Sequence, residues 1–270
     1  MDLEHEEEPQ YLRRQKRVEV RKRLDTRKIA RLKLPVLGLL ALLVLGGAAW
    51  GVTRFALTGT RFVLHQDGIE IRGARYVARS QVMERFSSDI GKSSFAVPLE
   101  VRRASIEQIP WVERADIARL WPDRIRVVLH ERTPLAFARG VGGVLLVDGT
   151  GQFLDRPVQA TFSFPVVDGV AEKDPPEQRG ARMILFRRLM QDLDHESNRY
   201  SLDISEVDVS DPEDARVTVV DTGLLLHLGN SDFLARYKTY LAHAQEWQRD
   251  HPKIRSIDLR YGSQVVVSPD

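Results

Sequence analysis

The 270-residue chain predicts an α+β protein carried on a single membrane-spanning helix, and three observations carry that reading. Near its start lies a run of twenty residues without a charge. Behind it the hydrophobic pattern orders as strand, helix, helix, strand, strand, and after that short alternating strands are interrupted by two longer helices.

The uncharged run covers residues 34–53, with Leu34, Pro35, Leu37, Leu40, Leu43 and Trp50 as its anchoring residues. Twenty residues at about 1.5 Å each reach about 30 Å, the thickness of a hydrocarbon core. Pro35 is expected in the first helical turn, where a missing N–H costs nothing, and Trp50 at the far interface. Gly46, Gly47, Ala48 and Ala49 resemble a signal-processing site. A signal peptide, however, starts close to its apolar core, whereas here a long, heavily charged segment precedes it, so an uncleaved anchor is expected.

Eleven Lys or Arg lie from Arg13 to Lys33, against Glu19 and Asp25. The positive-inside rule therefore places residues 1–33 in the cytoplasm and the bulk of the chain on the periplasmic or extracytoplasmic side. The basic tail reads as a contact for membrane lipid headgroups. A nucleic-acid partner is not expected, because no aromatic interleaving or recognition motif accompanies the charge.

Residues 54–66 read as a connector. A small domain is expected over 67–134. Ile69 and Ile71 alternate up to Gly73, and Ser80 caps a helix with Val82, Phe86 and Ile90 on one face. A second helix over 99–108 stops at Pro110, and strands over 112–120 and 124–131 are closed by Trp121-Pro122-Asp123 and Thr133-Pro134. Together these make a three-stranded sheet with two helices on one face.

Residues 135–270 predict a larger, mainly antiparallel α+β domain. Its strands lie over 136–139, 144–147, 153–154, 207–209, 217–220, 224–228, 254–259 and 264–267. One helix, over 178–193, carries Leu185, Leu189 and Leu193 on one side; another, capped by Asn230-Ser231-Asp232, carries Phe233, Tyr237, Tyr240, Leu241 and Ala244.

Catalytic chemistry finds little footing. With no cysteine there is neither a disulfide framework nor a thiolate metal site. None of the seven histidines stands in a zinc-peptidase spacing, and they read as surface residues. There is no G-x-S-x-G elbow, S-x-x-K or Walker loop. The pairs Asp208 with Asp211 and Glu213 with Asp214 read as solvated charged turns, which lack the pocket that splits two carboxylate pKa values. No enzyme, cofactor or metal is expected. A membrane-anchored sensor is the alternative function, weakened by a tail without the apolar periodicity of a docking helix.

One further pattern adds to these readings. Ile109-Pro110-Trp111-Val112, Ala115, Ile117, Arg119, Trp121-Pro122, Ile125, Val127, Glu131-Arg132, Pro134 and Ala136 follow in order. After them come Val147-Asp148, Gly151, Phe153, Phe164-Pro165-Val166, Gly169 and Asp258-Leu259-Arg260-Tyr261. The series resembles the FtsQ/DivIB family of bacterial cell-division proteins, with its POTRA domain and β-domain.

The resemblance implies a scaffold of the divisome at the septum of the cell inner membrane. Its expected partners are FtsB-like and FtsL-like bitopic proteins and other divisome membrane proteins. Pro110, Trp111, Val112, Trp121 and Pro122 are expected to be structural, with both tryptophans buried beneath the sheet. By the same resemblance Arg260, Tyr261, Gly262, Ser263, Gln264, Val265, Val266 and Val267 form an edge strand to which a partner strand adds.

Overall fold

A computed structural model describes residues 26–195, 199–261 and 266–269, and the chain divides into two units, Met1–Phe55 and Ala56–Asp270. Helix α1, Thr26–Thr58, makes up the described part of the first and ends three residues into the second. Its stretch Pro35–Thr58 is long and apolar enough to cross a membrane, and none of it is buried against protein. Pro35 does not sit in the first turn. The helix starts nine residues earlier, so proline's missing N–H leaves the Arg31 carbonyl without its helical donor. Toward the other end Thr53 Oγ1 donates to the carbonyls of Ala49 (2.8 Å) and Trp50 (2.9 Å), and the Arg54 guanidinium lies over the Trp50 ring.

In the second unit, strands β1 (Ile69–Arg72), β2 (Val112–Leu120) and β3 (Arg124–Glu131) form a sheet of order β1-β3-β2. β1 runs parallel to β3, and β2 antiparallel to it. Helices α2 (Arg79–Arg85) and α3 (Leu99–Ile106) cover it, burying Val82, Met83, Phe86 and Ile106 against Ile69, Val112, Ala115, Ile125, Val127 and Leu129. α2 is shorter than its periodicity predicts: the chain turns after Phe86, and Ile90 is exposed. The expected connector is in part core, because Phe62 and Leu64 are buried.

The larger sheet has nine strands in the order β12-β11-β10-β9-β8-β7-β4-β5-β6. They are β4 (Pro134–Gly140), β5 (Gly143–Asp148), β6 (Phe153–Leu154), β7 (Val166–Asp168), β8 (Ile204–Asp211), β9 (Asp214–Val219), β10 (Leu225–His227), β11 (Ile254–Asp258) and β12 (Val266–Pro269). Five of the pairings are antiparallel; β4 with β7, β7 with β8 and β10 with β11 are parallel. Strand β7 has no counterpart in the sequence reading; its three residues are held by pairing with β4 and β8.

Helices α4 (Pro176–Leu193) and α5 (Phe233–Asp250) bury Met183, Phe186, Leu189, Phe233 and Tyr237 on the face carrying Ala136, Val147, Val207 and Val217. Leu241 lies off that stripe and is exposed, and Asp232 caps α5 through its backbone carbonyl, not its side chain.

Strand alternation sends the neighbours of these residues to the opposite face, where the two halves of the unit share a core. Leu146 and Leu154 pack with the residues beneath β1, β2 and β3, joined by Phe137, Phe162 and Phe164. Rings continue from Trp111 to Tyr76 (4.6 Å between centroids), Phe162 (6.0 Å) and Phe164 (5.7 Å). Trp111, only 7% exposed, also donates its indole N–H to the Asp155 carbonyl at 3.0 Å.

The motif Glu131-Arg132 makes the joint between the halves. The Glu131 carboxylate accepts the backbone N–H groups of Arg75, Tyr76 and Val77 at 2.8 to 2.9 Å, reaching back. Arg132, the next residue, reaches forward to Asp148 Oδ2 at 2.8 Å. Asp148 is 4% exposed, and its Oδ1 accepts from Thr150 N, Thr150 Oγ1 and Gln152 N. Burial alone would raise its pKa, but these donors, with Arg132, hold it below the usual carboxylate range. Gly151, at φ +81°, ends this turn where a Cβ would stand 2.6 Å from the Arg179 side chain of α4.

Candidate functional site

The nine-stranded sheet ends differently on its two sides. At one end β6 is two residues long, and the carbonyl of Asp155, just beyond it, is taken by Trp111. At the other end β12 pairs with β11 alone, in the register Ile257↔Val267 and Asp258↔Val266, leaving its outer row of main-chain groups without a strand partner among the described residues. The smaller sheet also has an outer strand, β2, but its edge is blunted. Arg114 and Asp116 are exposed and paired at 3.2 Å, and Glu107 Oε1 accepts the Ala115 N–H.

The expected edge segment is only partly a strand. Arg260 and Tyr261 lie in a turn, because the Arg260 N–H (3.1 Å) and guanidinium (2.6 Å) both bond the Asp258 carboxylate and fold the chain back on itself. Gly262, Ser263, Gln264 and Val265 lie outside the described residues. Val266 and Val267 open β12, which runs on to Pro269.

A polar network backs this edge on the sheet face opposite the helices. Asp214, Asp258 and His227 lie on three adjacent strands, β9, β11 and β10, in that face's alternation. His227 Nδ1 bonds Asp214 Oδ2 at 2.6 Å, the Gly229 N–H donates to Asp214 Oδ1 at 3.1 Å, and Arg260 Nη1 stands 3.6 Å from Asp214. The hydrogen bonds from Arg260 hold the Asp258 carboxyl below its ordinary pKa, and reciprocally raise that of Arg260.

The sequence reading missed this cluster. Asp214 is 4% exposed, not a solvated turn residue, and His227 is half-buried, not a surface histidine. The two are thirteen residues apart, and only the β9–β10 pairing brings them together.

The same face continues as a ladder of ion pairs: the exposed Arg139 with Asp168 (3.0 Å) and Glu206 (2.9 Å), then the half-buried Arg216 with Asp208 (2.7 Å). The Asp208 carboxyl, which burial would raise, is lowered by Ser210 and Arg216. Among the described residues no group of three or more His, Asp or Glu could hold a metal ion.

The motif residues divide. Trp111 and Val112 are buried, and Pro110 is exposed at the turn before them. Trp121 contradicts expectation: at 80% exposed it projects from the β2–β3 turn, since the helices that could have covered it lie over other strand positions. Pro122, joined to it by a cis peptide bond, is half-buried.

A βααββ sheet unit welded to a mixed sheet, behind one apolar helix, defines a membrane-anchored protein of the POTRA class. The profile of the family described as POTRA domain, FtsQ-type, matches residues 64–132, which includes the buried Leu64. The chain is 41% identical to a cell division protein FtsQ of Koribacter versatilis, over 100% of this chain and 80% of that protein. It is 30% identical to the one of Hahella chejuensis, over 71% and 65% of the two chains, and 27% identical to that of Allochromatium vinosum, over 86% and 87%. The chain belongs to the FtsQ family of cell-division proteins.

Proposed function

We propose that the chain is a non-catalytic scaffold of the bacterial division machinery, anchored in the inner membrane at the septum, its N-terminus cytoplasmic and its folded unit periplasmic. Its basic tail meets lipid headgroups, and its β12 edge receives a strand from an FtsB-like partner acting with an FtsL-like one. The carrying observation is β12 itself, a strand hydrogen-bonded on one side at the end of the nine-stranded sheet. Main-chain groups there would supply affinity and alternate side chains specificity.

The test is binding of an FtsB-like extracytoplasmic segment to the full chain, to the chain truncated after Tyr261, and to Val266→Pro and Val267→Pro. Neighbouring N–H groups on a strand point to opposite sides, so one proline spoils the pairing with β11 and the other only the free edge. All three variants are expected to lose affinity. Unchanged affinity in folded variants refutes the edge reading.

A further inference from the structure

We propose that the β2–β3 turn, with Trp121 at its tip, and the neighbouring Phe95 form a membrane-contacting foot that rests in the headgroup layer. The inference rests on the anchor reading of α1. Its first support is connectivity. Ala56 lies in the last turn of the apolar span, and Ser93 Oγ donates to its carbonyl at 2.7 Å. Val63 bridges to Ser93, and Leu64 N–H donates to the Lys92 carbonyl at 2.8 Å. The turn over residues 92–96 is thus tied directly to the residues that leave the bilayer.

The β2–β3 turn is tied to the same place. Ser94 Oγ donates to the Pro122 carbonyl at 3.0 Å, and Arg119 Nε donates to the Ser94 carbonyl at 2.9 Å. Ser94 is itself buried, so this is a built contact. What the braced segments present outward is apolar: Trp121 at 80% exposed and Phe95 at 43%, the latter edge-on to Phe62 with centroids 5.3 Å apart.

The flanking charge fits a lipid surface. Arg61, Lys92 and Arg124 are exposed in the segments that carry these rings, and Asp123, between Trp121 and Arg124, is half-buried. An indole beside cations is the composition that the headgroup layer favours, where rings sit among glycerol and carbonyl groups and Lys or Arg meet phosphate. Other strongly exposed apolar residues, such as Val141 and Val158, are not braced to the membrane-proximal chain and need no such account.

Because the chain has no cysteine, single labels are straightforward. The full chain is reconstituted in phosphatidylcholine vesicles containing some phosphatidylglycerol, with a nitroxide on Asp123→Cys, Leu40→Cys or Val141→Cys. Collision with oxygen is compared with collision with a water-soluble nickel chelate. The oxygen-to-nickel ratio at 123 is expected several-fold above that at 141 and below that at 40. It should fall to the value at 141 when Trp121→Ser and Phe95→Ser are added to a protein that melts normally.

A 123 label as aqueous as the 141 label overturns the proposal, and so does one shielded only after a partner protein is added. A ratio unchanged by the double serine variant also overturns it. If the label at 40 is itself aqueous, the anchor reading has failed, and the two failures are told apart.

Discussion

Asp148→Asn tests whether the joint carries the stability of the folded unit. Three of the four donors on this carboxylate address Oδ1, and the fourth, Arg132, addresses Oδ2. An asparagine that keeps its carbonyl toward Thr150 and Gln152 must turn its NH₂ against the guanidinium. One charge-assisted bond becomes a donor–donor clash, and the Arg132 charge is left without its partner. Breaking a buried pair in this way costs about 3–5 kcal/mol, and the partial exposure of Arg132 puts the expectation near about 3 kcal/mol.

The assay is urea unfolding of the full chain in micelles, followed by the fluorescence of Trp111 at the joint in a background with Trp50, Trp121 and Trp247 replaced by phenylalanine. The pH dependence has a definite sign. A carboxylate whose folded pKa is lowered stabilises fully above its unfolded value, near about 4, and that stabilisation is lost as pH falls through the folded value. Wild type and variant should therefore converge at acid pH. A loss under about 1 kcal/mol at neutral pH, or a gap that does not narrow on acidification, refutes the role given to Asp148.

The two motif tryptophans should separate cleanly: Trp111→Ala is expected to cost about 3–5 kcal/mol by thermal melting, and Trp121→Ser less than about 0.5 kcal/mol. Trp111→Phe, which keeps a ring but loses the bond to Asp155, should cost about 1 kcal/mol from the hydrogen bond plus a smaller packing loss. Gly169→Ala should cost about 2 kcal/mol or more in the same measurement, because φ is +86° and a Cβ would stand 2.5 Å from Ser210 N. Arg139→Ala, on this ladder, should change the unfolding free energy by less than about 1 kcal/mol despite its two ion pairs.

Strands β2 and β3 were legible to the residue because alternation was bounded by proline on both sides. Leu185, Leu189 and Leu193 were legible because a helical stripe repeats locally. What escaped was set by distant partners. β7 exists because β4 and β8 flank it, and His227 meets Asp214 through a strand pairing. Trp121 shows the limit of composition: a large ring is read as core unless the covering elements are known. The helix beyond residue 53 escaped because the uncharged run stops at Arg54, whereas main-chain helicity passes that one charge and runs on through Phe55, Ala56 and Leu57 to Thr58.

The brevity of β7 has a mechanical consequence. A partner strand pulling along β12 would load the sheet in shear, and that load reaches the joint at Glu131 and Arg132 through six successive strand pairings. Most are held over several residues, but β4 meets β7 only at Phe137↔Val166 and Ala138↔Val167. The Phe137 N–H adds one bond to the Pro165 carbonyl. That crossing is the narrowest rung on the path, so under tension the sheet would part there, leaving the edge and the joint each intact on its own side.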